Sequence, residues 1–315
     1  MARAIRDAYG EALAKYGRDN PRVVVLDADV SSSTKSKLFQ DACPERFYNV
    51  GIAEANMTAM AAGFAAVGKI PFVNTFAAFI SSLGLIAARS FASYSGLGIK
   101  LIGAYGGLSD SFDGPSHHSI DDIAIMRLLP DLKVYVASDE VQTDWLVRQA
   151  IADPSPVYIR LSRDAMPAIY QPSAVFKEGK GNVVRKGRDI TIIACGLMVS
   201  QALEAARTLA DQGLDAAVID MFCVKPLDKA LILKSAAESK AIITAEEHSV
   251  IGGLGSAVAE TLCEAGLQVP VGFVGLADCH AECGPYEKLL RKYGLDAQAI
   301  VSKTQQIMAR LNAGR

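Results

Sequence analysis

Neither sign of charge dominates this chain. Its 315 residues include 32 Lys or Arg against 34 Asp or Glu, a net charge of −2. Such a balance gives no global pull toward nucleic acid. No secretory signal is expected, because Met1-Ala-Arg-Ala-Ile-Arg-Asp7 is charged and runs into an amphipathic helical pattern. No long apolar run is present. The most apolar window, Pro71 to Ala88, is interrupted by Asn74, Thr75, Ser81 and Ser82, and reads as a strand followed by a buried helix rather than a membrane span. The six cysteines, at 43, 195, 223, 263, 279 and 283, are scattered. Without a signal they read as reduced thiols of a cytoplasmic protein. Repeats and low-complexity tracts are missing too.

What is present describes a globular protein with ample core. Half of the residues are hydrophobic and 21% are charged. A slightly positive mean hydropathy, +0.21, points weakly to surface covered by other subunits. The length favours two domains. Short apolar runs at Arg22–Asp27, Ile70–Asn74, Ile99–Gly103, Leu132–Val136 and Val157–Arg160 read as buried strands, with room for crossover helices between most of them. That is the pattern of a parallel α/β sheet. The stretch 166–188 holds Pro167, Pro172, Gly179, Gly181 and Gly187 and reads as an extended linker. A second α/β series follows, with strands at Ile190–Cys195, Ala216–Asp220, Ala241–Thr244 and Val271–Gly275. It includes a helix Val199–Gln212 stopped by Gly213, and a last helix over Leu295–Leu311. The expected organisation is a first α/β domain over 1–165, the linker over 166–188 and a second α/β domain over 189–315, each with a mostly parallel sheet flanked by helices.

The segment Asn49-Val-Gly-Ile-Ala-Glu54-Ala-Asn-Met57 places one acid at the start of a small, apolar helix built for burial. A buried carboxylate is costly unless something satisfies it. Either backbone donors do so, or the acid has a chemical task. Three segments in order carry a resemblance to the transketolase family. They are Phe47-Tyr-Asn-Val-Gly-Ile-Ala-Glu54 with Thr75-Phe-Ala-Ala-Phe79, then Asp113-Gly-Pro-Ser-His-His118, then Glu246-Glu-His-Ser-Val-Ile-Gly-Gly-Leu-Gly-Ser256. Tyr158–Arg163 and Val224–Asp228 also fit. The likeness covers nearly the whole chain but only the second half of a transketolase.

The resemblance implies a pyrimidine-binding domain for thiamine diphosphate, followed by a transketolase C-terminal domain. Glu54 is then the acid that shares a proton with the cofactor's aminopyrimidine and so activates it. Phe79 stacks on that ring and Phe76 lines the pocket. Aromatics three apart are also ordinary core, and the third aromatic position of the family is Ser82 here. The resemblance further implies that His117 and Asp113 meet the sugar substrate and that His118 adds a second polar contact, against the alternative of solvent-facing loop residues. Arg163, Ser33 and Arg3 are the expected anchors for a phosphate. The phosphate-binding histidine of the family is Tyr105 here, and its acid before the Asp-Gly-Pro turn is Phe112, which puts ordinary pentose phosphates in doubt.

Transketolases hold the diphosphate and its divalent metal through a Gly-Asp-Gly motif, which occurs nowhere in this chain. The resemblance therefore implies a separate N-terminal subunit that carries the Mg²⁺ ligands, in an α2β2 assembly that also contains self-contacts. The expected activity is transfer of a two-carbon ketol unit from a ketose to an aldose. The alternatives are a β subunit of a 2-oxoacid dehydrogenase, deoxyxylulose phosphate synthase, which normally carries the missing domain in one chain, and a silent partner subunit. Cys279-His280-Ala-Glu-Cys283 offers zinc-type ligands but lacks a fourth and a second pair, so a loop before a helix is the default. His248 is expected to be structural or at a subunit interface. Asn56-Met-Thr58 matches a glycosylation pattern but lies in the helix expected to be buried.

Overall fold

The computed structural model describes residues 3–313. Its first sheet has seven strands, in the order Cys223–Lys225, Lys133–Val136, Val157–Arg160, Lys100–Ala104, Ile70–Phe76, Val23–Asp27 and Phe47–Asn49. All neighbours pair in parallel except Cys223–Lys225, which runs antiparallel to Lys133–Val136. The inner strands are covered on both faces, so every residue of Val23–Asp27, Ile70–Phe76 and Lys100–Ala104 is buried. This is why they read as continuous apolar runs rather than as alternation. The second sheet has five strands, in the order Val271–Leu276, Ala241–Ser249, Ile190–Ala194, Ala216–Asp220 and Asn182–Arg185, the last antiparallel. Helices pack on both sheets, and the Asp139 and Asp228 carboxylates cap the helices that follow them by accepting from Gln142 and Leu231 amides. Among the described residues no helix is long and apolar enough to cross a membrane.

The two halves are joined through their cores and by buried polar bonds. One apolar cluster runs from Ile5 and Tyr9 through Leu146 to Ile192 and Ile307. The Asp220 carboxylate, at the end of a strand of the second sheet, accepts from Ser138 (3.0 Å), Gln142 (2.8 Å) and Tyr170 (2.6 Å). Burial pushes this acid up to about 6, against the pull of those three donors.

Two expectations need revision. The stretch 166–188 is not an open linker throughout. Asn182–Arg185 is an edge strand of the second sheet, Phe176 is buried against Trp145, and the Ile169 and Tyr170 amides donate to Asp139. Four residues among glycines and prolines carry too little alternation to read as a strand. The Glu54–Ala66 helix is buried on one face only. Met57, Thr58, Ala61 and Ala62 are covered, whereas Ala55, Asn56, Met60, Gly63 and Ala66 are exposed. Asn56 thus lies on the surface, not inside. Ile52 is 83% exposed, Ile86 80% and Tyr94 91%, whereas Ile80, Ala87 and Ala88 within the window Pro71–Ala88 are buried. A composition suited to burial does not say which chain does the burying. His248, expected to be structural or at a subunit interface, is the former: it is fully buried within the chain, where its ring bonds to the Ala124 amide and to the Ser249 carbonyl.

Candidate active site

The site forms where the strands Val23–Asp27, Ile70–Phe76 and Lys100–Ala104 end, the edge at which open parallel sheets bind ligands. Asp27, buried at the end of its strand, shapes the first loop. Its carboxylate accepts from the Val30 amide (2.7 Å), Thr34 Oγ1 (3.0 Å) and Ser36 Oγ (2.7 Å). The turn that results presents the Ser33 carbonyl to Arg6 Nη1 at 3.3 Å. Burial raises the Asp27 pKa and the three donors oppose it.

Glu54 opens its helix and is 4% exposed. Among the described residues its carboxylate has one hydrogen-bond donor, Thr75 Oγ1, at 3.4 Å. Among the described residues no backbone donor makes it a self-contained buried acid. Thr75 and Phe76 end the neighbouring strand, and Phe79 lies one turn further on. The Phe76 and Phe79 ring centroids are 5.7 Å apart, with Tyr105 edge-on to Phe76 at 4.5 Å and His117 edge-on to Phe79 at 5.1 Å. Phe76 is buried while Phe79 is half-buried and keeps surface to offer. Ser82 is exposed and its hydroxyl donates to the Ala78 carbonyl at 2.5 Å.

The loop 105–118 closes the other side. Tyr105 adopts a left-handed conformation (φ 59°) that turns the chain out of the strand. The ligand-capable atoms of Asp110, Asp113 and His117 all lie within 4.8 Å of one another. Asp113 is exposed, His117 is half-buried beside Ser116 Oγ at 3.0 Å, and Asp110 is buried. Arg163 donates to Asp110 Oδ1 at 3.1 Å, while Oδ2 has no hydrogen-bond partner among the described residues. Burial and then the Asp113 charge push the Asp110 carboxyl up, and Arg163 pulls it down. His118 is not a solvent-facing loop residue. It is 5% exposed, neither ring nitrogen has a hydrogen-bond partner among the described residues, and burial lowers its pKa. Phe112 points outward at 67% exposure.

The arginines differ from expectation. Arg3 lies away from this cluster, paired with Glu11 and with Glu140 at 3.3 Å. Its guanidinium is committed to the outer surface of the helices Ile5–Arg18 and Glu140–Ala152. Arg6, not Arg3, lies beside Ser33 and Tyr105. It donates to the Tyr105 hydroxyl and the Ser33 carbonyl, and its buried Nε is left without a partner among the described residues. Arg6 and Arg163 flank the Tyr105 ring at 5.4 and 5.2 Å. The helix begins at Ile5, so Arg6 rides on its first turn toward the sheet end, and Arg3 precedes it. Reading that helix start from the sequence would have separated the two. Asp110 carried no such signal, since a serine-rich loop hides which of its acids folds inward.

The donor set is therefore an acid with its proton-accepting face left open, aromatic walls beside it, and hydroxyl- and anion-binding groups beyond. The chemistry of this set fits a heteroaromatic group with hydrogen-bonding nitrogen.

The family description "Transketolase, pyrimidine binding domain" matches residues 1–168, and "Transketolase, C-terminal domain" matches 179–300. The chain is 41% identical to a 6-deoxy-6-sulfo-D-fructose transketolase subunit of Clostridium sp. (strain MSTE9), over 98% of this chain and 95% of the relative. It is 36% identical to an apulose-4-phosphate transketolase subunit of Phocaeicola vulgatus, over 94% and 95%. A solved structure described as a split gene transketolase, inactive β4 tetramer, superposes with a TM-score of 0.89 at 45% identity, covering 98% of this chain and 99% of that one. These matches establish that the chain belongs to the transketolase family.

Proposed function

We propose that this chain is the pyrimidine-activating subunit of a two-chain ketol transferase that uses thiamine diphosphate and Mg²⁺. The observation that carries the proposal is the Glu54 carboxylate, 4% exposed and met only by Thr75 at 3.4 Å among the described residues. An acid so placed has an open face for a ring nitrogen and no structural partner to explain its burial. When bound, thiamine diphosphate supplies the nucleophilic carbon and the electron sink for carbon–carbon bond cleavage. Glu54 holds and returns a proton at the pyrimidine nitrogen, and Phe79, with Phe76 behind it, keeps the ring in place and water out. His117 and Asp113 orient hydroxyls of the ketose at the reacting end, and His118 lies buried behind them. Arg6, Arg163 and the Ser33 turn hold the far end of the sugar, with Arg6 in the role that the sequence pattern suggests for Arg3.

The substrate is a ketose with an anionic far end. Two arginines converge there, and the two relatives named above act, by their names, on a sulfo-sugar and a sugar phosphate. Asp110, paired with Arg163, offsets part of the positive charge. The diphosphate and its Mg²⁺ are held by a separate N-terminal subunit. Supporting this are the missing Gly-Asp-Gly motif and two relatives of matching length described as subunits. The partner and a second copy of this chain cover exposed apolar residues such as Ile52, Met60, Ile86 and Tyr94, giving an α2β2 assembly. The test is reconstitution with the diphosphate-binding chain, thiamine diphosphate and Mg²⁺, with xylulose 5-phosphate and 6-deoxy-6-sulfofructose as donors. Ketol transfer that needs both chains is the expected result; release of carbon dioxide from a 2-oxoacid instead would move the assignment to the 2-oxoacid dehydrogenases.

A further inference from the structure

Loop 105–118 is held from outside its own domain. Glu247, on the strand Ala241–Ser249 of the second sheet, is 2% exposed. Its Oε1 accepts the Leu108 amide at 2.7 Å and the Tyr286 hydroxyl at 2.8 Å. Leu108 is fully buried, so without this carboxylate its amide has no acceptor, which folded chains rarely tolerate. The neighbouring Gly107 sits at φ 68°, and a Cβ there would run into the Glu247 carboxyl group. Loop and acid are thus shaped to each other. Two more contacts come from the same half. The Gly284 amide donates to the Ser111 carbonyl at 2.9 Å, and Cys283 packs where a side chain at Gly114 would lie. Arg160 completes the arrangement from the first sheet by donating to the Ser119 carbonyl (3.0 Å) and the Glu247 carbonyl (2.8 Å), while paired with Asp122 at 2.9 Å.

We infer that Glu247 is a positioning residue for ketol transfer: by holding the Leu108 amide it fixes loop 105–118, and with it the placement of Asp113 and His117 against the sugar. This rests on the reading of that loop as the substrate loop. It assigns the C-terminal domain a part in substrate binding that assembly alone does not require. An acid that served only to bolt the halves together would affect stability and cofactor affinity without singling out the sugar.

The test compares Glu247→Ala, which removes the acceptor, with Glu247→Gln, which keeps an acceptor oxygen at the same place. Hydrogen–deuterium exchange on the full chain should show peptides spanning 105–118 exchanging on the order of tenfold faster in the alanine variant, the loss of one well-made hydrogen bond. Glutamine should restore protection, and the Glu54–Ala66 helix should not change. In the reconstituted two-chain complex, the alanine variant should raise KM for the ketose on the order of tenfold with the Kd for thiamine diphosphate unmoved. Unchanged exchange in 105–118, or an altered cofactor Kd with an unaltered KM, overturns the inference. If the wild-type complex transfers no ketol unit to any aldose, the function proposed above falls, and the exchange data still decide whether Glu247 holds the loop. Should the alanine variant not fold, Tyr286→Phe, which frees one bond on the same carboxylate, is expected to give the same pattern at about threefold.

Discussion

Buried glutamates lie in both halves of the molecule, and they are treated in opposite ways. In the second half Glu246 accepts the Leu254 amide at 2.7 Å through one oxygen and the Gly255 amide at 2.8 Å through the other, at the start of the helix Leu254–Glu264. Its neighbour Glu247 accepts an amide and a phenol. Each has donors enough to account for its burial. In the first half Glu54 also opens a helix and is as deeply buried, yet it receives one hydroxyl at 3.4 Å. The same residue type is in one place an architectural acceptor and in the other a group with capacity to spare. Burial alone does not distinguish them; the count of donors does.

The largest expected effect follows directly. Glu54→Gln should lower ketol transfer by roughly 10²–10⁴-fold, the range for loss of a proton-transfer group, with the melting temperature unchanged or raised. Turnover near wild type would end the contrast. Glu246→Ala should do the reverse. Two buried amides lose a charged acceptor, on the order of 2–5 kcal/mol of stability by denaturant titration, and the change should appear in unfolding rather than in KM. A smaller effect separates the arginines. Arg6→Ala should raise KM for an anionic ketose by roughly 10- to 100-fold, and Arg3→Ala by less than about twofold, because the latter loses surface ion pairs alone. Equal effects would mean that the anion lies elsewhere.

The smallest effect is on pH. Burial pushes the Glu247 carboxyl up to about 7; Arg160 and the two donors oppose the shift, and the Asp122 charge adds to it. Its folded pKa lies above its unfolded one. The folded state therefore holds a proton that the unfolded chain has released, and the stability this confers is lost as pH rises through 7. Between pH 6 and 8 the wild type should lose on the order of 1 kcal/mol relative to Glu247→Gln, read from parallel unfolding curves. Parallel curves with no divergence would show that Glu247 does not titrate there, and that its resemblance to Glu246 is closer than its surroundings imply.

Much of this arrangement can be read from the residues. The central strands are legible because burial on both faces leaves unbroken runs such as Val23–Asp27 and Val157–Arg160. Glu54 stands out as a lone acid in a small apolar helix, but whether backbone donors satisfy it is seen only in the fold. Other features have no local signature. Cys223–Lys225 is three residues long and pairs with a strand some ninety positions earlier, so only the assembled fold reveals it. The inward turn of Asp110 and the grip of Glu247 on Leu108 are contacts between distant segments, and no periodicity reports them. The half-exposed Glu54 helix shows a third limit, since apolar composition states that a surface is to be covered and leaves the covering chain unnamed.

The strand Cys223–Lys225 bears on how an enzyme of this kind can be divided between genes. It closes the edge of the first sheet beside Lys133–Val136, although it is encoded beyond the whole first half and the first strands of the second. A cut anywhere between residues 166 and 222 would strip that sheet of its border and leave a row of backbone donors and acceptors open to pairing with other copies. The two halves are therefore one structural unit, and a break between them costs the first sheet its border.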